Sequence, residues 1–548
     1  MTSNHQRSRL PLASGRTSLL IAVGIVSKVA VDLVIAASFG LSVRTDCLFV
    51  AYTLPLIVEA VFYPACQSGL VPVFVRQMAS REVPYKWTML STAFNLALLS
   101  SAALAVLGIA TAPVAVWMLA PGLDPSVHDL TIDLMRLLFV STATVGPIGV
   151  MKAFLNASGL FTPPAALELF RGVTILCVVS VGYGSYGVHA VACGYAIAGF
   201  LQLAILAGAI VRRLGWGYRL TIRPEAFKSS HVGRLFVVPC ADCLLSQLIL
   251  VVERVIGSFL PVGSISAISY GHRLASVATT VLFGGVEVVS LSSMAADIRE
   301  GTVAHLKRAK DTFVAGLRLV CMLGIPVAIV VWVWRYPLVQ LLLERGAFGS
   351  QDTLLAAPIL GLYALSIPLY GCWLLLKNYL FAATRLSKVL LLSGTGAGVY
   401  TALAIPLSTY LGGRGLALAF IAGVGATCGL GSIVLARDFG PYRRALGYLV
   451  VRVTGASAAV GSILYHASGL LPQHLEGPRD LPSSIALASS LAVAGIGGGI
   501  LLLVMLVALR VEEAVSFSRG VSGLSIALGS KLARRRDVDP GIPTRRVT

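Results

Sequence analysis

The residues of this chain best placed to do chemistry are ionisable groups stranded inside long apolar runs. The first half holds Lys28, Asp32, Glu59, Arg136, Glu168 and Arg171; the second holds Asp242, Glu253, Arg254, Arg273, Glu287, Arg318 and Lys377. A charge at the centre of a membrane helix costs about 2.5–3.5 kcal/mol, so it is kept where it faces a cavity or a partner. Arg171, Arg254 and Arg318 lie near the ends of their runs, where a long side chain can also reach the membrane surface. Lys28 and Asp32 stand four apart, the spacing of a local ion pair on one helix face. Arg273 sits in "ISYGHRLASVATTV" (268–281), among small residues that leave room around it. A planar guanidinium in such a space suits a phosphoryl group, which it holds by paired hydrogen bonds. These residue types point to binding of an anion rather than to bond cleavage. The sequence contains no HExxH, P-loop or GxSxG motif, and its histidines lack metal-ligand spacing.

The elements that carry these charges are membrane helices. Of 548 residues, 56% are hydrophobic and only 12% charged, with a mean hydropathy of +0.85. About a quarter of a soluble domain is charged, so most of this chain belongs in lipid. About twenty apolar residues cross a bilayer as helix. Cutting at the polar breaks predicts fourteen spans, near 18–40, 47–75, 89–118, 130–155, 163–184, 188–211, 232–258, 265–295, 311–334, 353–383, 388–409, 415–436, 446–468 and 484–509. The fold class is therefore an all-α polytopic membrane protein. Basic residues fall in alternate connections: Arg76, Arg81 and Lys86; Arg212, Arg213, Arg219, Arg223 and Lys228; Arg299, Lys307, Arg308 and Lys310; Arg385 and Lys388; Arg437, Arg443 and Arg444; and the tail with Lys531 and Arg534 to Arg536. The intervening connections "PGLDPSVHD" (121–129) and "GYGSYGVH" (182–189) carry no Lys or Arg. Positive residues stay inside, which predicts both termini on the cytoplasmic side.

Other readings fit less well. The net charge of +19 lacks the basic-aromatic platform that stacks bases, so no nucleic-acid partner is expected. Arg7, Arg9 and Arg16 precede an apolar stretch of spanning length with no small-residue cleavage site, which predicts a retained first span. The nine cysteines fall mostly in apolar segments, and the CxxC pair Cys240 and Cys243 has no second pair, so they read as small membrane residues, with no metal or cofactor. Without a nucleotide site, any pumping draws on an ion gradient or the membrane potential.

The chain also repeats itself. "VMKAFLNA" (150–157) aligns with "LLKNYLFA" (375–382), matching Lys152 with Lys377. At the same offset "LAPGLDPS" (119–126) falls on "ERGAFGSQ" (344–351), and at a slightly smaller one "SFGLSVRTD" (38–46) falls on "SFLPVGSIS" (258–266). Order is kept along six spans, predicting two parallel halves about an axis along the membrane normal, with two spans left over. The expected organisation is a cytoplasmic segment 1–17, a first lobe 18–228, a second lobe 229–440, two extra helices within 441–510 and a basic tail 511–548. The connector "LLLERGAFGSQDT" (341–353) reads as an outer elbow: "YPLVQLLL" (336–343) lies at the interface, Gly346 turns, and Ser350 or Asp352 caps the next span. Arg44 and Asp46, just after the first span, could form an outward gate; a helix cap for the second span is the alternative.

Four segments carry a family resemblance. "FGLSVRTDCLFVAYTLP" (39–55), "GLVPVFVRQMASRE" (69–82), "SYGHRLASVATTVLFGGVEVVSLSSMA" (269–295) and "YPLVQLLLERGAFGSQDT" (336–353) resemble, in order and spacing, the MurJ/MviN family of lipid II flippases. That family belongs to the multidrug/oligosaccharidyl-lipid/polysaccharide exporter superfamily, and the resemblance covers roughly residues 18–440. It implies two six-helix lobes around a cationic cavity, with a groove formed by the two extra helices. It also implies alternating access that carries an undecaprenyl-pyrophosphate-linked sugar, lipid II first among them, from the inner to the outer leaflet of the bacterial cytoplasmic membrane. By position, Arg273 matches the cavity arginine, with Lys28 and Asp32 as its first-span companions; Asp46 matches the aspartate after the first span. The partners implied are the lipid-linked glycan, membrane lipids and envelope glycan synthesis proteins. Two departures stand out. The first span has Lys28 and Asp32 but lacks the family's second arginine, and "LPLIVEAVF" (54–62) puts Glu59 where the family has basic residues. Other lipid-linked repeat units, a cation-coupled drug exporter, and a degenerate homologue that scaffolds glycan-assembly enzymes remain alternatives.

Overall fold

The computed structural model describes residues 3–79, 83–215, 217–223, 232–435, 442–468, 481–509 and 511. Arg81, Lys228, Arg437 and the basic tail lie outside the described residues. In a bilayer every backbone N–H and C=O must be paired within the segment, and among the described residues the chain meets this demand with helices alone. In chain order these are α1 (Ser3–Phe39), α2 (Val43–Ala79), α3 (Val83–Leu119), α4 (His128–Ala157), α5 (Thr162–Tyr186) and α6 (His189–Leu214). Then come α7 (Val232–Gly257), α8 (Ser264–Glu300), α9 (Val303–Val333), the short α10 (Arg335–Leu342), α11 (Ser350–Leu365), α12 (Ile367–Ala382), α13 (Leu386–Leu411) and α14 (Gly413–Val434). The last two are α15 (Tyr442–Ser468) and α16 (Leu481–Ala508).

Twelve of these are long and apolar enough to span a membrane. The pair α11 and α12 adds one more, as a single span bent by 41° at Ser366. Pro368 follows the bend at the first turn of α12, where its missing N–H costs no helical hydrogen bond. α7 occupies the place of the remaining expected span, with Asp242, Glu253 and Arg254 in its sequence.

Packing repeats with the sequence. In the first lobe α1 packs on α5, α2 and α3 on α4, and α5 on α6; in the second α7 packs on α13, α8 and α9 on the α11–α12 pair, and α13 on α14. The lobes meet where α2 runs along α7 and touches α8, and where α1 approaches α8. α15 lies on α9, and α16 on α15 and α10, outside both lobes.

Candidate functional site

Of the predicted residues, the seam between the lobes gathers Asp32, Asp46 and Arg273, and it is tightest at the end where α1 turns into α2. Asp46, in the first turn of α2, is 4% exposed. Its carboxylate accepts hydrogen bonds from the backbone N–H of Gly263 and of Ser266, both at 2.7 Å, and from the Ser266 hydroxyl. Gly263 is the N-cap of α8 and has no side chain to cap with. Asp46 therefore caps α8 from the other lobe. The helix's unpaired N–H groups and positive end favour a carboxylate there. The alternative reading, a cap for its own span, is thereby corrected, since the helix it caps is α8. Arg44 is exposed, and Asp46 draws its partners from α8 rather than from it.

Around this cap each elbow docks on the opposite lobe. In the second-half elbow, Ala347 N–H donates to Ala37 O at 2.7 Å, and Asp352 accepts from Leu41 N–H at 3.3 Å. Asp352 also accepts from Gly349 N–H at 3.1 Å, capping α11 as expected. In the first-half elbow, Gly122 N–H donates to the Ser258 hydroxyl at 3.0 Å. Gly122 and Ala347 are repeat equivalents, and Ala37 is the residue before Ser38, the equivalent of Ser258, so the two dockings fall within one residue of matching places. Asp46 and Ser266 are themselves equivalents, and a residue that touches its own mate lies on the pseudo-twofold axis. Gly346 requires its lack of a side chain twice over, with φ +59° and a would-be Cβ 2.3 Å from Ala37 O. Outside the membrane, Asp124 in the first elbow is held below the usual carboxylate range by hydrogen bonding from Ser126. Glu344 and Arg345 serve their own connector, through Thr353 and the Leu341 carbonyl.

One layer deeper, Arg273 on α8 reaches into the first lobe. It is ion-paired with Asp32 of α1, and its guanidinium lies 4.8 Å from the Phe49 ring centre and 5.9 Å from that of Tyr52. Asp32 thus pairs across the seam rather than with Lys28, which is exposed on α1. A salt bridge to an arginine with several donors outcompetes a helix-surface pair worth a few tenths of a kcal/mol, about 0.2–0.5. Arg254 of α7 mirrors the arrangement, with Nε donating to the Thr53 hydroxyl at 3.3 Å and the guanidinium 5.8 Å from the same Phe49 ring. Arg254 is 4% exposed beside Glu253, so it does not reach for the surface. Phe49 and Thr53 escaped sequence reasoning because an aromatic or a threonine in an apolar run carries no signal of a partner.

Glu59 lies apart from the seam. Both its oxygens accept from Arg171 of α5, at 2.5 and 2.8 Å, and the same guanidinium donates to the Tyr52 hydroxyl at 3.0 Å. These groups line a cavity of about 20 Å³, room for one water, with Tyr63, Tyr195 and Gln202. In the second lobe Lys377 lies 2.6 Å from Asp242, which also accepts from Ser393 at 2.5 Å. Each lobe is thus closed on its own buried ion pairs, and a charged seam joins the two.

The family model described as "Lipid II flippase MurJ" matches residues 35–475. The chain belongs to the MurJ family. Among its MurJ relatives, "Probable lipid II flippase MurJ" of Rhizobium meliloti (strain 1021) is 26% identical over 523 residues, 89% of this chain and 94% of that protein. The solved structure "Lipid II flippase MurJ, inward closed conformation" superposes with a TM-score of 0.72 at 20% identity, covering 91% of this chain and 99% of that one. An inward-facing multidrug resistance transporter of the MATE family superposes at a TM-score of 0.60 and 13% identity, over 77% of this chain and 98% of its own, a likeness of fold. MurJ members are lipid II flippases, transporters rather than enzymes.

Proposed function

We propose that this protein is a lipid II flippase of the bacterial cytoplasmic membrane, moving its cargo from the inner to the outer leaflet by alternating access. The observation that carries the reading is Arg273, a guanidinium held between the lobes of a MurJ-family chain and neutralised by a single displaceable carboxylate, Asp32. The alternating basic connections favour cytoplasmic termini. That orientation makes the Asp46 cap and the elbows an outer gate, closed in this state. A pyrophosphate entering from the inner side competes with Asp32 for Arg273, and parting of the lobes breaks the cap on α8. Energy for the return comes from an ion gradient or the membrane potential, and the membrane partners include envelope glycan synthesis proteins.

A second reading has its own observation. Glu59 and Asp32 consume the charge of Arg171 and Arg273, leaving a less cationic cavity than a pyrophosphate-binding one needs, and another lipid-linked glycan would then be the cargo. Depletion of the protein, with identification of the lipid-linked intermediate left in the cytoplasmic leaflet, separates the two. Accumulated lipid II is expected, and complementation by Arg273→Glu is expected to fail. A different accumulated glycan would establish the second reading; no accumulation at all, with Arg273→Glu tolerated, would leave a scaffold.

A further inference from the structure

The internal repeat puts two lysines, Lys152 of α4 and Lys377 of α12, at equivalent positions, and the structure treats them in opposite ways. Lys377 is consumed: its ammonium lies 2.6 Å from the Asp242 carboxylate, which is 1% exposed and also holds Ser393. Lys152 is half-buried, with its ammonium 4.5 Å from the centre of the Tyr63 ring. Among the described residues no carboxylate lies within ion-pairing distance of Lys152. The two acids of its neighbourhood are engaged elsewhere, since Glu59 holds Arg171 through both oxygens and Glu168 lies 3.7 Å from the same guanidinium. An aromatic face attracts an ammonium without cancelling its charge. Tyr63 therefore positions a cation and leaves it whole.

The location matters too. Lys152 stands five residues before the end of α4 at Ala157, the end remote from the Asp46 cap and the elbows. The neighbouring α2 and α4 are bridged there by Asn156 donating to Gln67 at 2.9 Å. In the orientation proposed above this is the cytoplasmic half of the first lobe, the level at which a phosphorylated lipid of the inner leaflet carries its charge. Lys28 of α1 is exposed and adds a second cation to this lobe. We infer that Lys152, held by Tyr63, is a phosphate-contacting residue that receives the pyrophosphate of a polyprenyl-linked cargo on loading, while its mate Lys377 is a structural counter-ion. This assignment rests on the flippase reading and adds a residue to it.

Binding of undecaprenyl pyrophosphate to the purified full-length protein tests it, with inorganic pyrophosphate and phosphatidylglycerol as competitors. Lys152→Gln is expected to weaken binding about tenfold, the loss of one charge-assisted hydrogen bond. Lys152→Arg restores it, and Tyr63→Leu produces a smaller loss. Phosphate-free undecaprenol binds wild type and Lys152→Gln alike, which shows that the variant is folded. Lys377→Gln is expected to lower the melting temperature instead. Equal affinity of wild type and Lys152→Gln for the pyrophosphate overturns the assignment and leaves the flippase reading intact. Displacement by phosphatidylglycerol as effective as by inorganic pyrophosphate also overturns it, as a general anionic-lipid site. A wild type that binds no polyprenyl pyrophosphate overturns both readings.

Discussion

At the scale of the residue, Asp46 shows how one carboxylate can make a gate. It satisfies two backbone donors at the start of α8, and those donors have no substitute in Gly263. Removing an N-cap side chain costs about 0.5–2 kcal/mol. Here that cost falls entirely on the state in which the lobes are joined, because the cap and the helix belong to different lobes. Asp46→Ala should therefore shift the population toward an open outer seam by about tenfold, taking roughly 1.4 kcal/mol as the loss. Labelling of a cysteine placed at Ser266 by a membrane-impermeant reagent reads the shift. Labelling no faster in the Asp46→Ala background than in the parent would remove Asp46 from the gate.

At the scale of the element, the elbows matter more than their charges. Each crosses to the opposite lobe and docks on the end of α1 or α7 through backbone groups. Close approach of backbones leaves no room for side chains, and Gly346 is the tightest such point. Gly346→Ala would force a Cβ against Ala37 O in a left-handed conformation, costing about 1–3 kcal/mol. The expected result is a protein that still inserts and folds but closes its outer side poorly, with transport reduced. Normal transport by Gly346→Ala would mean that the elbow yields without consequence. Bound to the turn and not to a titratable group, this effect should be independent of pH.

At the scale of the whole molecule, the two lobes behave as mates about one axis, with the latch on the axis and the elbows at either side. Alternating access then requires all these contacts to part together. A disulfide between Asp46→Cys and Ser266→Cys, whose native side chains already meet across the seam, in a background lacking the exposed Cys177, should hold the outer seam shut. Transport is expected to stop on oxidation and return on reduction. Continued transport by the oxidised, cross-linked protein would show that this seam does not open in the cycle. The charged pairs inside each lobe, Glu59 with Arg171 and Asp242 with Lys377, cross no seam and should survive both states.

Much of this was legible in the chain itself. Scarcity of charge and the length of the apolar runs dictate membrane helices, because lipid offers the backbone no alternative partner. The alignment of 38–46 with 258–266 already matched Asp46 with Ser266, and the segments around Arg273 and the 336–353 connector pointed to the family. Pairing was not legible. Asp32 four residues after Lys28 reads as a local pair, yet its partner is Arg273, 241 residues away. Periodicity reports which face of a helix a side chain shares, whereas the choice among carboxylates and cations depends on which helices meet and at what height. The same holds for Lys152 and Lys377, alike in the repeat and opposite in the fold. Only the approach of α7 to α12 supplies Asp242 to one, and α2 supplies the Tyr63 ring to the other.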